Sequence, residues 1–363
     1  MLDIVERNKK IFSNLREEVD CIISIKRDCP NPTFSYITGL VRGFFEGSIA
    51  VCRRDDGRVK LITSGLDKVK EEHLDVFIAR KKEDVERKVR DLIRDCSILG
   101  FDARYTSFRD YRLIRKWAKG KKLKDVSRGI LLSRLKKDDH EIRLIRRACK
   151  ISERVFEEIL DGLKEGVSER EVSLKIDKLV REFGGDGTAF ESVVAFGKNS
   201  AIPHHIPGMK KLRRNEIVLL DFGARYEGYV SDITRSFVYG KANEKIKRMF
   251  EIVRKAQDIG RRAVREGTRF ETVHRKVSEF IERTPFRGRF IHSTGHTIGL
   301  EVHDGFSLAK GAKEKFSDGV VFTIEPGIYL KSIGGIRIED DFVFLNGRVR
   351  KLTRIPVFLE MRS

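Results

Sequence analysis

The sequence predicts a two-domain protein of the α/β (α+β) class, with a small α/β domain over residues 1–130 and a larger domain over residues 131–363. The length of 363 residues exceeds what one hydrophobic core usually organises, so two domains are expected. In the first third of the chain, short apolar runs alternate with amphipathic segments, which is typical of a small α/β domain. In the remainder, long helical patterns give way to short alternating strands.

Hydrophobic periodicity locates the elements of the first domain. Helices are predicted over residues 5–15 and near residues 85–93, where four apolar side chains share one face. The predicted strands are residues 19–24, 48–52, 59–63 and 97–101. The polar, basic stretch 119–124 contains Gly120 and is predicted to begin the linker, so the domain boundary is placed between residues 120 and 138.

Long amphipathic helices are predicted to open the second domain. Apolar residues from Ile142 to Ile159 fall on one helical face. Ser168, with Glu171 three residues later, forms a capping box that starts the next helix. Further helices are predicted over residues 243–266 and 270–283.

Composition limits the class of protein. The chain has five cysteines, an odd number without a C-x-x-C pair, which indicates reduced thiols rather than a disulfide framework or a zinc knuckle. No apolar run approaches the roughly 18 residues of a membrane span, and the charged N-terminal segment does not resemble a signal peptide. The sequence therefore predicts a cytoplasmic protein without a membrane partner.

The chain is strongly basic. Its net charge of +20 arises from 75 Lys and Arg residues against 55 Asp and Glu residues. Clustered basic residues bind nucleic acids through phosphate contacts. Here the two signs are interleaved along the chain, which favours a surface of ion pairs over a nucleic-acid site.

Two predicted strands place acidic side chains inside an apolar pattern. The strand over residues 216–222 and the strand over residues 229–238 are joined by a turn at residues 225–228, so Asp221 and Asp232 are predicted to face each other across a hairpin. A single aspartate in such a place is often a turn cap or one half of a salt bridge. Two on neighbouring strands require a shared compensating charge.

Two later strands repeat this pattern and place Glu325 and Glu339 in apolar surroundings. Residues 320–325 and 335–341 are predicted strands, and Arg337 lies on the same face as Glu339. One arginine does not neutralise four interior carboxylates. Two divalent cations would supply four positive charges and take oxygen ligands directly. The four carboxylates therefore predict a metal centre.

Histidines are concentrated in the same part of the chain. His292, His296 and His303 fall within twelve residues, and His204 and His205 follow a proline in a loop. Imidazoles beside clustered carboxylates are typical metal ligands or catalytic groups. A ligand set rich in oxygen with a single imidazole suits manganese, cobalt, iron or zinc, with manganese or cobalt favoured.

At these residues the sequence resembles the pita-bread metallopeptidases of the creatinase/aminopeptidase fold. This family includes Xaa-Pro dipeptidase (prolidase), aminopeptidase P and methionine aminopeptidase. The resemblance covers residues 140–356. The N-terminal part is similar in size and pattern to the creatinase-type domain of the first two enzymes. The matching segments are LDFG (220–223), SDITR (231–235), HSTGH (292–296), VHD (302–304), TIEPGIY (323–329) and GIRIED (335–340).

The resemblance implies a division of labour among these residues. Two metal ions would be held by Asp221, Asp232, His296, Glu325 and Glu339. A hydroxide bridging the two ions would attack the scissile carbonyl, and Glu325 is the candidate to carry its proton to the leaving amine. The resemblance also implies that His204 and His303 contact the substrate carbonyl and its oxyanion, and that Phe190 is an aromatic side chain near the proline, with a packed core phenylalanine as the alternative. Thr234 and Arg337 share strand faces with Asp232 and Glu339, which indicates either groups that orient these ligands or ordinary surface and packing positions.

The expected function is hydrolysis of the bond before proline in Xaa-Pro dipeptides. The alternatives are an aminopeptidase P that acts on longer Xaa-Pro peptides and a catalytically silent module that binds peptides or nucleic acid. Two departures bear on the substrate: Thr297 stands where the family often has glycine, and residues 304–307 lack the arginine with which several dipeptidases meet the substrate carboxylate. A homodimer is a further expectation from the family.

Overall fold

The computed structural model describes residues 4–16, 18–67, 69 and 73–361, and the chain divides into two compact units, residues 1–134 and 135–363. No described helix is both long enough and apolar enough to cross a membrane.

The first unit is built on one mixed sheet with helices packed against it. Its helices are α1 (Ile4–Ser13), α2 (Pro32–Thr38), α3 (Lys82–Leu92), α4 (Phe108–Trp117) and α5 (Ser127–Leu135), which ends at the unit boundary. Its strands are β1 (Cys21–Ile25), β2 (Ile49–Arg53), β3 (Val59–Thr63), β4 (Leu74–Ile78), β5 (Ile98–Phe101) and β6 (Lys122–Asp125). The strand order is β4-β3-β2-β1-β5-β6, with β1 antiparallel to β2 and parallel to β5. Val89 and Trp117 belong to the core that covers this sheet.

The prediction that residues 119–124 begin a linker is wrong. Lys122–Asp125 is strand β6, which pairs in parallel with β5 at the edge of the sheet. Its first and last residues are exposed, and an edge strand has this polar composition because part of it faces solvent.

The helix α2 was not predicted from hydrophobic periodicity, because it is short and defined by its ends. The side chain of Asn31 accepts a hydrogen bond from the Phe34 amide, and Pro32 occupies the first turn. Gly39 ends the helix with a φ of 75°. The strand β4 was also not predicted.

The second unit combines long helices with several small sheets. Its helices are α6 (Asp139–Gly162), α7 (Glu169–Glu182), α8 (Glu244–Ala263) and α9 (Phe270–Glu282), with a 3₁₀ turn at Gly197–Ala201. Its strands are β7 (Gly187–Thr188), β8 (Val193–Phe196), β9 (Glu216–Phe222), β10 (Ala224–Tyr226), β11 (Tyr229–Val230), β12 (Ile233–Tyr239), β13 (Val321–Ile324), β14 (Gly327–Leu330), β15 (Gly334–Arg337), β16 (Asp340–Leu345), β17 (Arg348–Lys351) and β18 (Glu360–Met361). The capping box of Ser168 and Glu171 begins α7, as predicted.

Two apolar cores hold the sheets of this unit to its helices. The first joins α6 and α7 to β8, β9 and β12, and includes Phe156, Phe196 and Phe237. The second joins α8 and α9 to β14 and β15, and includes Phe250 and Ile336. Strands β9 and β12 therefore lie in a scaffold that is packed against helices.

The strand predicted over residues 229–238 is broken at Asp232. β11 and β12 belong to different sheets, and Asp232 lies between them rather than on a strand face. Asp221 pairs with Thr234 in the β9–β12 register, so the prediction that it faces Asp232 is wrong. The break follows from a long-range contact, because the Asp232 amide donates its hydrogen bond to the carboxylate of Asp341 instead of to a neighbouring strand.

The strand predicted over residues 335–341 is also broken, between β15 and β16. Ile338 and Glu339 lie in the break, and the Glu339 amide donates to the carbonyl of Thr234. The predicted turn at residues 225–228 likewise contains part of β10. Asp232 and Glu339 therefore lie where the chain leaves one sheet and enters another.

Candidate metal centre

A cavity of about 600 Å³ in the second unit collects the predicted site residues. Its walls include the five predicted metal ligands, the two predicted catalytic histidines, Phe190 and Arg337. The described residues that line this cavity include Asp221, Asp232, His296, Glu325, Glu339, His204, His303, Phe190, Arg337, His205 and His292. The structure therefore brings the predicted site residues together in one cavity. Thr234 does not line the cavity, but it contacts Glu339 and Arg337 in its wall.

Asp232, His296 and Glu339 form the centre of this cavity. One ligand atom from each lies within 4.8 Å of the others, and all three residues are buried. Nε2 of His296 is 3.4 Å from a carboxylate oxygen of Asp232 and 3.3 Å from one of Glu325. Within the described residues, these three make up the cluster that is tight enough for one ion, while Asp221 and Glu325 line the cavity beside it.

The donor set fits a divalent cation. Oδ1 of Asp232 and Oε1 of Glu339 are buried and have no hydrogen-bond partner among the described residues. Leaving a buried carboxylate oxygen unpaired is costly, whereas a cation would satisfy both. Carboxylate oxygens with one imidazole nitrogen are ligands that manganese, cobalt, iron and zinc accept.

Burial dominates the electrostatics of these carboxylates. It raises the pKa of Asp232 and of Glu339 well above the ordinary values, and nearby carboxylates raise both further. Burial also raises the pKa of Asp221, although Arg337 opposes the effect. These groups therefore hold protons strongly until a cation replaces the protons.

The backbone around His296 depends on a close approach to β13. A side chain on Gly295 would lie 2.0 Å from the carbonyl oxygen of Thr323, so only glycine fits there. The His296 amide in turn donates to the hydroxyl of Thr323 at 3.1 Å. Glu325 follows at the end of the same strand, which explains why His296 and Glu325 reach one cavity.

Thr234 and Arg337 contact the carboxylates from behind. The Thr234 hydroxyl donates to Oε2 of Glu339 at 2.6 Å, and Nη2 of Arg337 donates to Oδ2 of Asp221 at 2.5 Å. Nε of Arg337 donates to the Thr234 hydroxyl at 3.0 Å. Each contact restricts the rotation of a carboxylate that lines the cavity.

Tyr329 and His292 extend this network, and sequence reasoning gave neither a role. Nη1 of Arg337 donates to the Tyr329 oxygen at 2.8 Å, and the Tyr329 hydroxyl lies 2.8 Å from Nε2 of His292. Burial raises the pKa of Tyr329 to about 12 and lowers the pKa of His292. Both residues belong to sequence segments that match the family, residues 292–296 and 323–329, and this match is the signal that could have identified them.

Asp341 was also given no role by sequence reasoning. It is fully buried, and its Oδ2 accepts from the Asp232 amide at 3.0 Å and from the Cys149 thiol at 3.3 Å. Burial raises the pKa of Asp341 to about 7. No sequence pattern reveals this contact, because the two partners of Asp341 lie far from it along the chain.

The predicted catalytic histidines lie on two separate loops of the cavity wall. The His303 ring packs edge-on against the His296 ring at 4.4 Å between centroids. Burial lowers the pKa of His303, and the adjacent His296 lowers it further. His204 lies on the opposite loop, near enough to contribute to the electrostatics of both His292 and His303.

The segment after His303 is turned away from the cavity. Asp304 forms a buried ion pair with Lys137, at 2.9 Å and with both side chains 1% exposed. The Thr297 hydroxyl donates to the Asp304 carbonyl at 2.9 Å, which gives this departure from the family pattern a structural role. The two contacts hold the loop that carries His303.

Comparisons with known proteins show what the chain is similar to. Residues 143–345 match the model of metallopeptidase family M24. The chain is 32% identical over 269 residues to a Xaa-Pro dipeptidase of Pyrococcus furiosus, covering 74% of this chain and 76% of that protein. The structure of an X-Pro aminopeptidase from Thermotoga maritima matches 98% of this chain and 100% of its own, with a TM-score of 0.89 and 28% identity. A dipeptidase structure from Pyrococcus horikoshii matches 98% of this chain and 99% of its own, with a TM-score of 0.87 and 32% identity.

Proposed function

The chain belongs to metallopeptidase family M24, and we propose that this metalloexopeptidase hydrolyses the peptide bond before proline. The cavity in which Asp232, His296 and Glu339 converge, with His204 and His303 on its wall, is the observation that carries the proposal. We also propose that residues 1–130 and 131–363 are the creatinase-type and pita-bread domains.

The metal-binding residues of the proposed site are Asp221, Asp232, His296, Glu325 and Glu339. Two divalent ions held there would supply Lewis acidity and an activated water. Glu325 is exposed enough at the cavity wall to take a proton and pass it to the leaving amine.

The histidines of the wall complete the proposed site. The lowered pKa of His303 keeps its ring neutral near pH 7, so one ring nitrogen can donate a hydrogen bond to the oxyanion without carrying a full charge. His204 would donate from the other loop. Phe190 lines the cavity and offers an apolar surface for the proline ring.

Xaa-Pro dipeptides are the first substrate class that we propose, because similar proteins are named Xaa-Pro dipeptidase and dipeptidase. One observation favours longer peptides as a second class. Among the described residues that line the cavity, Arg337 is the one Arg or Lys, and each of its three nitrogens already donates a hydrogen bond, to Asp221, Tyr329 or Thr234. A free substrate carboxylate would therefore meet histidines rather than an available arginine.

The test compares three substrates that differ only after proline. Purified protein is loaded with manganese or cobalt and assayed on Leu-Pro, Leu-Pro-amide and Leu-Pro-Leu, with Leu-Ala as the control that lacks proline. Cleavage of Leu-Pro above the amide supports the dipeptidase. Higher kcat/KM on the amide and the tripeptide supports an aminopeptidase. Failure on all three, with metal bound, refutes the proposed function.

The same preparation tests the remaining expectations. The silent-module alternative requires steeply salt-dependent binding to DNA or RNA, which we do not expect because many basic side chains form ion pairs, among them Arg87–Asp84, Arg90–Glu86 and Lys247–Glu244. Manganese or cobalt as the preferred metal, a homodimer and a cytoplasmic location remain predictions. Metal reconstitution tests the preferred metal, and sedimentation tests the homodimer.

A further inference from the structure

Glu169 is a buried carboxylate outside the predicted site, and it fastens one loop at four points. Its side chain is fully buried. Oε1 accepts from the Phe196 amide and from the Asn199 side chain, both at 2.8 Å. Oε2 lies 2.8 Å from Nε2 of His205 and accepts from the Gly208 amide at 3.1 Å.

The four hydrogen-bonding partners of Glu169 flank His204 along the chain. They come from residues 196, 199, 205 and 208, so the anchors lie on both sides of His204 in the sequence. Among the described residues, His204 itself has no hydrogen-bond partner. Glu169 holds the backbone on both sides of His204 and thereby fixes the position from which the His204 side chain reaches the cavity.

The surroundings of Glu169 suit a hydrogen-bond acceptor. Glu169 is the first residue of α7, where the positive end of the helix dipole stabilises a negative charge. Four donors also match the acceptor capacity of a carboxylate. A glutamine in its place would keep one acceptor oxygen and turn an amide group toward the other pair of partners. Each pair includes one backbone N–H, from Phe196 or Gly208, so at least one bond to the backbone of the loop would be lost.

We propose that Glu169 is a positioning residue for His204 in the peptidase reaction. The carboxylate holds residues 196–208 in one conformation, and His204 is thereby aimed at the reacting carbonyl. This inference rests on the proposed function for its kinetic part. Its structural part, that Glu169 orders the loop, does not depend on any substrate.

The structural part is tested by hydrogen exchange on Glu169→Gln. Amide exchange in residues 196–208 is expected to rise about tenfold or more, because at least one buried bond that anchors the backbone of the loop is lost. The matched control is Glu171→Gln on the same helix, which weakens the capping box with Ser168 but has no bond to this loop. Equal exchange in the loop for the two variants would overturn the proposal, even if the protein cleaves no peptide.

The kinetic part is tested by a double-mutant cycle. Glu169→Gln is expected to lower kcat about tenfold or more with a smaller change in KM, at unchanged metal content, because a displaced donor stabilises the transition state poorly. In a His204→Ala background the same substitution should change kcat less than about twofold. A full loss in that background would show that Glu169 acts on something other than His204 and would overturn the positioning role. A wild type inactive on every substrate refutes the proposed function instead, and hydrogen exchange then decides the structural part.

Discussion

The Thr234 hydroxyl donates a hydrogen bond of 2.6 Å to Oε2 of Glu339, and both residues are buried. The bond fixes the carboxylate so that its other oxygen, which has no partner among the described residues, faces the cavity. Thr234→Val keeps the shape of the side chain and removes the donor. We expect metal affinity to fall about 10- to 100-fold, as measured by calorimetric titration with manganese.

A second buried threonine provides the control for this variant. Thr63 at the end of β3 accepts a hydrogen bond from the Ser48 hydroxyl, in the other unit. Thr63→Val makes the same chemical change away from any predicted ligand and should leave metal affinity unaltered. If Thr234→Val binds manganese as the wild type does, Thr234 does not orient a ligand.

Metal binding should release protons and should weaken as the pH falls. Burial raises the pKa of Asp232 and Glu339, so in the metal-free protein these carboxylates bind protons at a pH where ordinary carboxylates do not. A cation must displace those protons, and lower pH favours their return. Calorimetry in two buffers of different ionisation enthalpy measures the number released. A release of zero near pH 6 would contradict the prediction.

The sequence predicted the residues of the site better than it predicted their geometry. The family, the fold class and the metalloexopeptidase class are confirmed by the comparisons. The pairing of Asp221 with Asp232 was wrong, because alternation assumes an unbroken strand. The breaks depend on contacts with Asp341 and Thr234 that are distant in the sequence.

The roles that sequence reasoning missed depend on contacts that form only in the folded chain. Tyr329 and Asp341 act through hydrogen bonds to partners from other strands and helices, and periodicity carries no information about such partners. The sequence did not indicate the proposed role of Glu169 either, because a glutamate that follows an N-cap residue is common at the start of a helix. Only the folded loop shows that its carboxylate is buried and has four donors.

Thiol reactivity should distinguish one cysteine from the other four. The five cysteines are free thiols in the structure, and Cys29 is exposed while the others are buried. Burial raises the pKa of the Cys52 and Cys149 thiols, so little thiolate forms there. A disulfide reagent should titrate one thiol quickly in the native protein and five after denaturation. Cys29→Ser should abolish the fast phase, and a fast phase that survives would contradict the assignment.

The buried ion pair of Lys137 and Asp304 should be stabilising only as a pair. Lys137→Met removes the lysine of this ion pair and keeps the Asp304 carboxylate in a place that is 1% exposed, and we expect a loss of about 3–5 kcal/mol in the free energy of unfolding. Adding Asp304→Asn removes the buried negative charge and should recover at least half of the loss, as measured by urea denaturation.

An exposed ion pair is the control for this pair of variants. Lys178 lies 3.5 Å from Glu182 on the surface of α7, and Lys178→Met should change the free energy of unfolding by less than about 0.5 kcal/mol because solvent screens the pair. The loop that carries His303 is held by Asp304, so Lys137→Met should also lower kcat more than Lys178→Met does. A double variant no more stable than Lys137→Met would show that the buried charge is not the cause of the loss.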